Sequence, residues 1–168
     1  MKILIEKVSK EDAYILAELK INIWKDVYKN ILPEQYLNNL SIEKKAQKYL
    51  MELQDDVSIN IFLIKTNPNN IIGTLRIRYY YNLNKKCASI EDLYLISAYH
   101  AKGFGVAAFK FAVDKAKSQH CNFLTAWIVE NNTAARKLAT KYGFLETNLI
   151  RLHTATGSRL IQYIFELD

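Results

Sequence analysis

Gly103 and Gly105 punctuate the stretch His100-Ala101-Lys102-Gly103-Phe104-Gly105-Val106, which joins an apolar run, Ile90 to Ile96, to a helix-like run, Phe104 to Ser118. A strand that enters a glycine-rich loop and then opens a helix leaves successive backbone N–H groups unpaired, and the helix dipole favours negative charge there. The spacing therefore predicts a phosphate-type anion site, with Lys102 as an added cation and His100 as a donor. Glu91 and Asp92 stand just ahead of the loop. The strand pleat sends adjacent side chains to opposite faces, so one of the two should face a cleft, where a carboxylate can act as a base. Glu91 is the preferred one, three residues before Tyr94. The Walker pattern GxxxxGK[ST] is absent. Gly103-Phe104-Gly105-Val106-Ala107-Ala108 fits the dinucleotide fingerprint G-x-G-x-x-A, but Ser97 to Lys102 separates strand from glycines where that fingerprint wants a tight turn. On the loop alone, close helix packing through Gly103, Gly105, Ala107 and Ala108 explains the glycines equally well.

The elements that must position these residues follow from periodicity. Ile3 to Val8 alternates as a first strand. Ser9 with Asp12 reads as a helix start, and Ile15, Leu16, Leu19, Ile23 and Trp24 continue at helical spacing. Pro33 stops a preceding helix and can start the next. Ile42, Ala46, Tyr49, Leu50 and Leu53 give a second amphipathic helix. Strands are expected at Val57 to Lys65, Ile71 to Tyr80 and Cys87 to Ile96, the first two joined by the turn Asn67-Pro68-Asn69-Asn70. After helix Phe104 to Ser118 come a strand at Phe123 to Val129 and a helix from Asn131 to about Tyr142, closed by Gly143. Two further strands, near Glu146–His153 and Arg159–Leu167, are joined by Thr154-Ala155-Thr156-Gly157-Ser158. The order β-α-α-β-β-β-α-β-α-β-β predicts an α/β (α+β) mixed sheet.

The chain has 168 residues, suited to one domain over 1–168 with a sizeable core. Met1-Lys2-Ile3-Leu4-Ile5-Glu6 breaks too early for a signal-peptide core, and no apolar run reaches membrane-spanning length. Cys87 and Cys121 lack CxxC or metal spacing and read as reduced thiols of a cytoplasmic protein. The formal net charge is +6, from 23 Lys+Arg against 17 Asp+Glu. The lysines are scattered or paired, as in Lys44-Lys45 and Lys85-Lys86, which reads as a solvated basic surface rather than a nucleic-acid face. The balance suits a ligand carrying several phosphate charges.

Two motifs together resemble the GNAT acetyltransferase superfamily. Leu93-Tyr94-Leu95-Ile96-Ser97-Ala98-Tyr99 matches the family's strand and lead-in. His100-Ala101-Lys102-Gly103-Phe104-Gly105 matches Q/R-x-x-G-x-G/A, with His100 where Gln or Arg is usual. Asn132-Thr133-Ala134-Ala135-Arg136-Lys137-Leu138-Ala139-Thr140-Lys141-Tyr142-Gly143-Phe144 matches N-x-x-A-x-x-l-Y-x-x-x-G-F, with Ala139 at the usual Tyr. The resemblance implies acetyl-CoA as cofactor and no metal. Pantetheine would insert in a splay between the strand ending at Ile96 and the strand Phe123–Val129, pairing with Tyr94, Leu95 and Ile96. The pyrophosphate would sit on Ala101, Lys102, Gly103, Phe104, Gly105 and Val106, and Asn132 would contact the cofactor.

The implied reaction is direct attack of a primary amine on the thioester in a ternary complex. An alkyl ammonium has a pKa of ~10 and must lose a proton first. The Leu95 N–H could hold the oxyanion. With Ala139 at the position of the usual acid, Tyr94, Tyr142 or water would protonate the thiolate. The acceptor side is expected from Trp24, Tyr28, Tyr80 and Asp92. Trp24, Tyr28, Ile31-Leu32-Pro33 and Tyr36-Leu37 resemble a stretch of PaiA-like members, which are associated with polyamine acetylation. The simpler reading of Trp24 and Tyr28, four apart, is one core face of a helix. The expected partner is therefore a small-molecule amine, a polyamine first, without nucleic acid or membrane; a homodimer is expected by analogy. A protein or peptide amine, or a non-catalytic CoA-binding module, stands as the alternative.

Overall fold

In the computed structural model, which describes residues 3–154 and 156–167, the chain forms seven strands and five α-helices. Met1, Lys2 and Ala155, named in the leader and final-turn expectations, lie outside the described residues. The elements run β1 (Leu4–Lys7), α1 (Ala13–Val27), α2 (Glu34–Asn38), α3 (Ile42–Asp55), β2 (Ile59–Asn67), β3 (Asn70–Asn82), β4 (Lys85–Leu95), α4 (Phe104–Ser118), β5 (Phe123–Val129), α5 (Thr133–Lys141), β6 (Leu145–Leu152) and β7 (Arg159–Glu166). They make one mixed sheet in the order β1-β2-β3-β4-β5-β7-β6. Among the described residues no helix is long and apolar enough to cross a membrane.

Local chemistry explains most boundaries. Ser41 Oγ accepts from Lys44 N at 3.2 Å and so starts α3. Asp12 Oδ2 accepts from Ser9 N at 2.9 Å, but this cap opens a 3-10 turn, Lys10–Asp12, and α1 begins only at Ala13. Pro33 does start a helix, though a five-residue one. The turn at Pro68–Asn69 is tight, with Asn67 paired to Asn70.

Strand β2 is buried on both faces, as a strand between two helical layers must be. Its Ile61 and Leu63 pack with Leu16, Ala17 and Tyr49 of α1 and α3. Its Phe62 and Ile64 join the larger core on the other face, with Ala108, Ala112 and Ala116 of α4 and Ala139 of α5.

Two departures from a regular ladder lie in β4. Its pairing with β3 sets Asp92 opposite Arg76 and Ile90 opposite Ile77, so Glu91 is an extra residue in a β-bulge. Beyond that point β4 and β5, the sheet's parallel pair, separate. They are paired only from Cys87–Phe123 to Ile90–Ala126, although β4 runs on to Leu95 and β5 to Val129.

Candidate active site

The parted strands open a cavity of about 500 Å³, walled by Ile90, Leu93, Tyr94 and Leu95 of β4, Ala126, Trp127 and Ile128 of β5, and the starts of α4 and α5. The backbone groups that β4 offers to it follow from register. Ile96 N donates to Ile72 O at 2.9 Å while Leu95 lies opposite Gly73. In an antiparallel ladder this makes Leu95, and Leu93 two residues before it, members of pairs that do not bond each other, so their N–H and C=O groups point away from β3 into the splay. Tyr94 and Ile96, expected to pair with the cofactor through their backbones, instead turn toward β3, Tyr94 as the bonded partner of Thr74 and Ile96 through its N–H; Tyr94 keeps a place in the cavity wall and Ile96 does not. The Leu95 carbonyl is also taken: His100 Nε2 donates to it at 2.9 Å. The splay therefore offers the Leu95 N–H and both groups of Leu93.

The same bond redefines His100. With its Nε2 hydrogen on Leu95, the neutral ring has only an acceptor left at Nδ1, and it can donate to phosphate only when doubly protonated. In this structure His100 pins the loop to the end of β4.

The loop then turns through two left-handed residues, Ala101 at φ 58° and Gly103 at φ 85°. A Cβ on Gly103 would meet nothing within 4 Å, so the glycine serves backbone conformation rather than packing. The first helical bond of α4 runs from Ala107 N to Gly103 O at 3.1 Å. The N–H groups of Phe104, Gly105 and Val106 thus have no partner within the helix, as the anion site requires. The side chains divide differently: Phe104 is buried against Tyr99, and Lys102 Nζ lies 5.7 Å from the centre of the Tyr99 ring rather than in the cavity. The cations that do line the cavity are Lys137 and Lys141 of α5. Sequence reasoning missed this pair, although i,i+4 lysines on the second motif's helix were the available signal.

Glu91, lifted out of register by the bulge, is exposed and lines the cavity. Asp92 points the other way. It is buried, and Lys20 Nζ donates to both of its oxygens at 2.8 and 2.7 Å. Asp92, expected to bind substrate, is thus already neutralised by a lysine that sequence reasoning did not consider.

Trp24 is the hub of an aromatic cluster behind the cavity wall, with ring centroids 5.2 Å from Tyr28, 5.9 Å from Tyr94, 6.2 Å from Tyr36 and 6.3 Å from His153. Tyr28 and Tyr94 line the cavity themselves. Asn132 Oδ1 accepts from Ala135 N at 3.1 Å, starting α5, and its Nδ2 donates to Tyr28 Oη at 3.4 Å. Tyr80 lies elsewhere, with its hydroxyl 3.3 Å from Thr125 Oγ1 near the paired end of β4 and β5, outside the cavity wall.

Two phenols are therefore in place to donate a proton. Burial lifts Tyr94 well above the usual phenol range, helped by Tyr28 and the Asp92 charge, and burial lifts Tyr28 too. Groups so shifted keep their protons, which suits acids and donors, not bases. Tyr142 is not among the cavity-lining residues: it stacks on Phe109 at 6.0 Å. Ala139, at the motif's usual tyrosine, is fully buried in the main core.

The parted sheet leaves room between β4 and β5 for an extended chain, and the unpaired start of α4 beside it offers N–H groups to an anion. The chain belongs to the GNAT acetyltransferase family: residues 24–144 match the family model described as "Acetyltransferase (GNAT) family". Among curated proteins, none matches the sequence. The fold is similar to that of the PaiA N-acetyltransferase from Thermoplasma acidophilum in complex with coenzyme A, with 22% identity and a TM-score of 0.74 over 98% of this chain and 100% of that one. It is also similar to spermidine N-acetyltransferase from Vibrio cholerae in complex with CoA and spermine, with 15% identity and a TM-score of 0.76 over 98% and 95% of the two chains. An acetyltransferase from Thermus thermophilus gives 18% identity and a TM-score of 0.74 over 99% and 98%. The protein is thus an acetyl-CoA-dependent acetyltransferase. The groups present fit that cofactor: Leu93 and Leu95 offer unspent backbone groups to an amide chain, and the start of α4 offers N–H groups to phosphate. When bound, acetyl-CoA supplies the activated acyl group.

Proposed function

We propose that the protein acetylates the primary amine of a small molecule by direct attack in a ternary complex. Glu91 takes the proton of the incoming ammonium. The Leu95 N–H, directed into the splay, stabilises the developing oxyanion. Tyr94 or Tyr28, held protonated by burial, returns a proton to the leaving sulfur. The observation that carries this reading is the bulge at Glu91, which sets an exposed carboxylate at the point where β4 and β5 part. A polyamine, the acceptor expected from the sequence and the kind of molecule bound in the similar Vibrio cholerae enzyme, would find one free carboxylate in the cavity wall, Glu91, because Asp92 is held by Lys20. The test is thiol release from acetyl-CoA with a panel of amines. Release that depends on an amine supports the reading, and cofactor binding without release on any amine removes it.

Two buried free thiols, Cys87 and Cys121, support a cytoplasmic setting. Strand β6 supports the expected homodimer: it is a sheet edge whose Leu145, Leu149, Ile150 and Leu152 are exposed, and pairing with the same strand of a second copy would cover them. Sedimentation equilibrium decides between monomer and dimer.

A further inference from the structure

Tyr28 bridges the parted strands. It caps the C-terminal end of α1, where its N–H donates to Trp24 O and its carbonyl accepts from Ile31 N and Leu32 N, each at 3.0 Å. The backbone on both sides therefore fixes where the ring goes. With Leu32 and Leu37 it packs against Tyr94 of β4 and Val129 of β5, one on each side of the splay. Its hydroxyl reaches α5, where Asn132 Nδ2 donates to Tyr28 Oη at 3.4 Å.

The other end of the Asn132 amide sets the direction of that bond. Asn132 Oδ1 accepts from the backbone N–H of Ala135 at 3.1 Å, so the nitrogen faces Tyr28. Tyr28 Oη is then an acceptor toward Asn132, and its own hydrogen is left for a different partner. Among the described residues Tyr28 Oη donates no hydrogen bond, while Tyr28 and Asn132 both line the cavity. An N–H that donates to a phenol oxygen holds the phenolate more strongly than the phenol, so it helps the proton leave.

The ionisation of the two cavity phenols agrees with this geometry. Burial raises Tyr28, the bonds from Asn132 and Tyr94 pull it back, and the Asp92 charge opposes them. Burial raises Tyr94 further, with Tyr28 and the Asp92 charge acting in the same direction. Tyr28 is thus the readier of the two to release its proton. The remaining phenol packed on this cluster, Tyr36, is also raised by burial, and Asp92 is neutralised by Lys20.

We infer that Tyr28 is the catalytic acid of the reaction and that Asn132 is the positioning residue that directs its proton into the cavity. As the amide forms, the C–S bond breaks with its electron pair on sulfur, and the Tyr28 hydrogen moves to that sulfur to complete the thiol. The nitrogen sheds its surplus proton to water, and a solvent proton restores the phenol. The inference rests on the direct-attack reading and assigns to one residue a proton that two phenols could supply.

The test places 3,5-difluorotyrosine, a stronger acid than tyrosine, at position 28 or at position 94. Titration of the fluorine resonance in the protein without cofactor gives the pKa of the labelled phenol. Asn132→Ser keeps a cap oxygen for Ala135 and removes the amide donor, and should raise the label at 28 by about half a unit to one unit. No rise would remove Asn132 from its role. In turnover with saturating amine, the alkaline limb of kcat should move to the resonance pKa when position 28 carries the label. A limb that follows the label at 94 and not at 28 transfers the acid to Tyr94, and one that follows neither assigns the proton to water; each overturns the inference. Tyr28→Phe should lower kcat by about 10²-fold, and Asn132→Ser should add little to that loss in the double variant. Full additivity there would mean that the two residues act separately. Absence of thiol release from the wild-type protein with every amine removes the direct-attack reading, and the inference with it.

Discussion

Lys20 and Asp92 hold each other in a buried, bidentate ion pair, with each side chain 8% exposed and Nζ within 2.8 Å of both oxygens. Breaking such a pair from one side strands a charge in the interior. Lys20→Met or Asp92→Asn should each cost about 3–5 kcal/mol in urea unfolding, and Lys20→Met with Asp92→Leu should recover most of that loss. Additive losses in the double variant would mean that the two residues act independently.

Lys45 gives a stability prediction with a defined pH window. Its folded pKa is about 8, below the 10.5 of a free lysine, so between these values the unfolded chain binds more protons and stability rises with pH. Below about 8 the charged ammonium destabilises the folded state. Lys45→Met should therefore stabilise the free protein at pH 7 by about 1–2 kcal/mol, after allowance for solvent screening. The gain should shrink to nothing by about pH 10.5. A destabilised variant at pH 7 would show that Lys45 is already compensated.

Gly103 holds φ at 85°, and proline is fixed near about −65°. Gly103→Pro should abolish coenzyme A binding in calorimetric titration, because it removes one N–H and re-aims those that follow. An unchanged affinity would place the phosphates elsewhere. Gly103→Ala, which meets no steric neighbour, should cost only about 1 kcal/mol of stability through its φ.

Ala139 is fully buried, so installing the family's usual tyrosine there does not simply add an acid to the cavity. Ala139→Tyr should overpack the core, lower stability by about 1–3 kcal/mol or more, and leave kcat no higher than wild type. A folded variant with faster thiol release would show that the position opens toward the cofactor.

Glu91 stands alone among the cavity-wall residues as a carboxylate. Glu91→Gln keeps its shape and removes its basicity, and should lower kcat by about 10²–10⁴-fold with coenzyme A affinity unchanged. Wild-type turnover would transfer the base role to water or to another group.

Much of this architecture was legible from periodicity and punctuation. The sequence reading of Phe104 to Ser118 and Phe123 to Val129 coincides with α4 and β5, because a left-handed glycine bounds one and polar residues bound the other. The start of α1 was misplaced, since the Ser9–Asp12 cap serves a 3-10 turn first. The glycine loop could be found because its backbone demands are written in residue type. Lys20 could not be assigned to Asp92, because 72 residues separate them and only the packing of α1 on β4 brings them together. The same limit hid the bulge at Glu91: nothing local distinguishes it from a regular pleat until the register with β3 is known. His100 reads as a phosphate donor from its motif position, and only the direction of the Leu95 carbonyl reveals its competing bond.

The four-pair seam between β4 and β5 has a thermodynamic consequence. The sheet is two smaller sheets, β1 to β4 and β5-β7-β6, joined by a short parallel stitch. On the proposed reading, an extended donor lying between Leu93, Leu95 and the facing strand would complete the missing length of that seam and act as an eighth, removable strand. Folding and saturation would then be one linked equilibrium, and the melting temperature should rise with the concentration of the acyl donor.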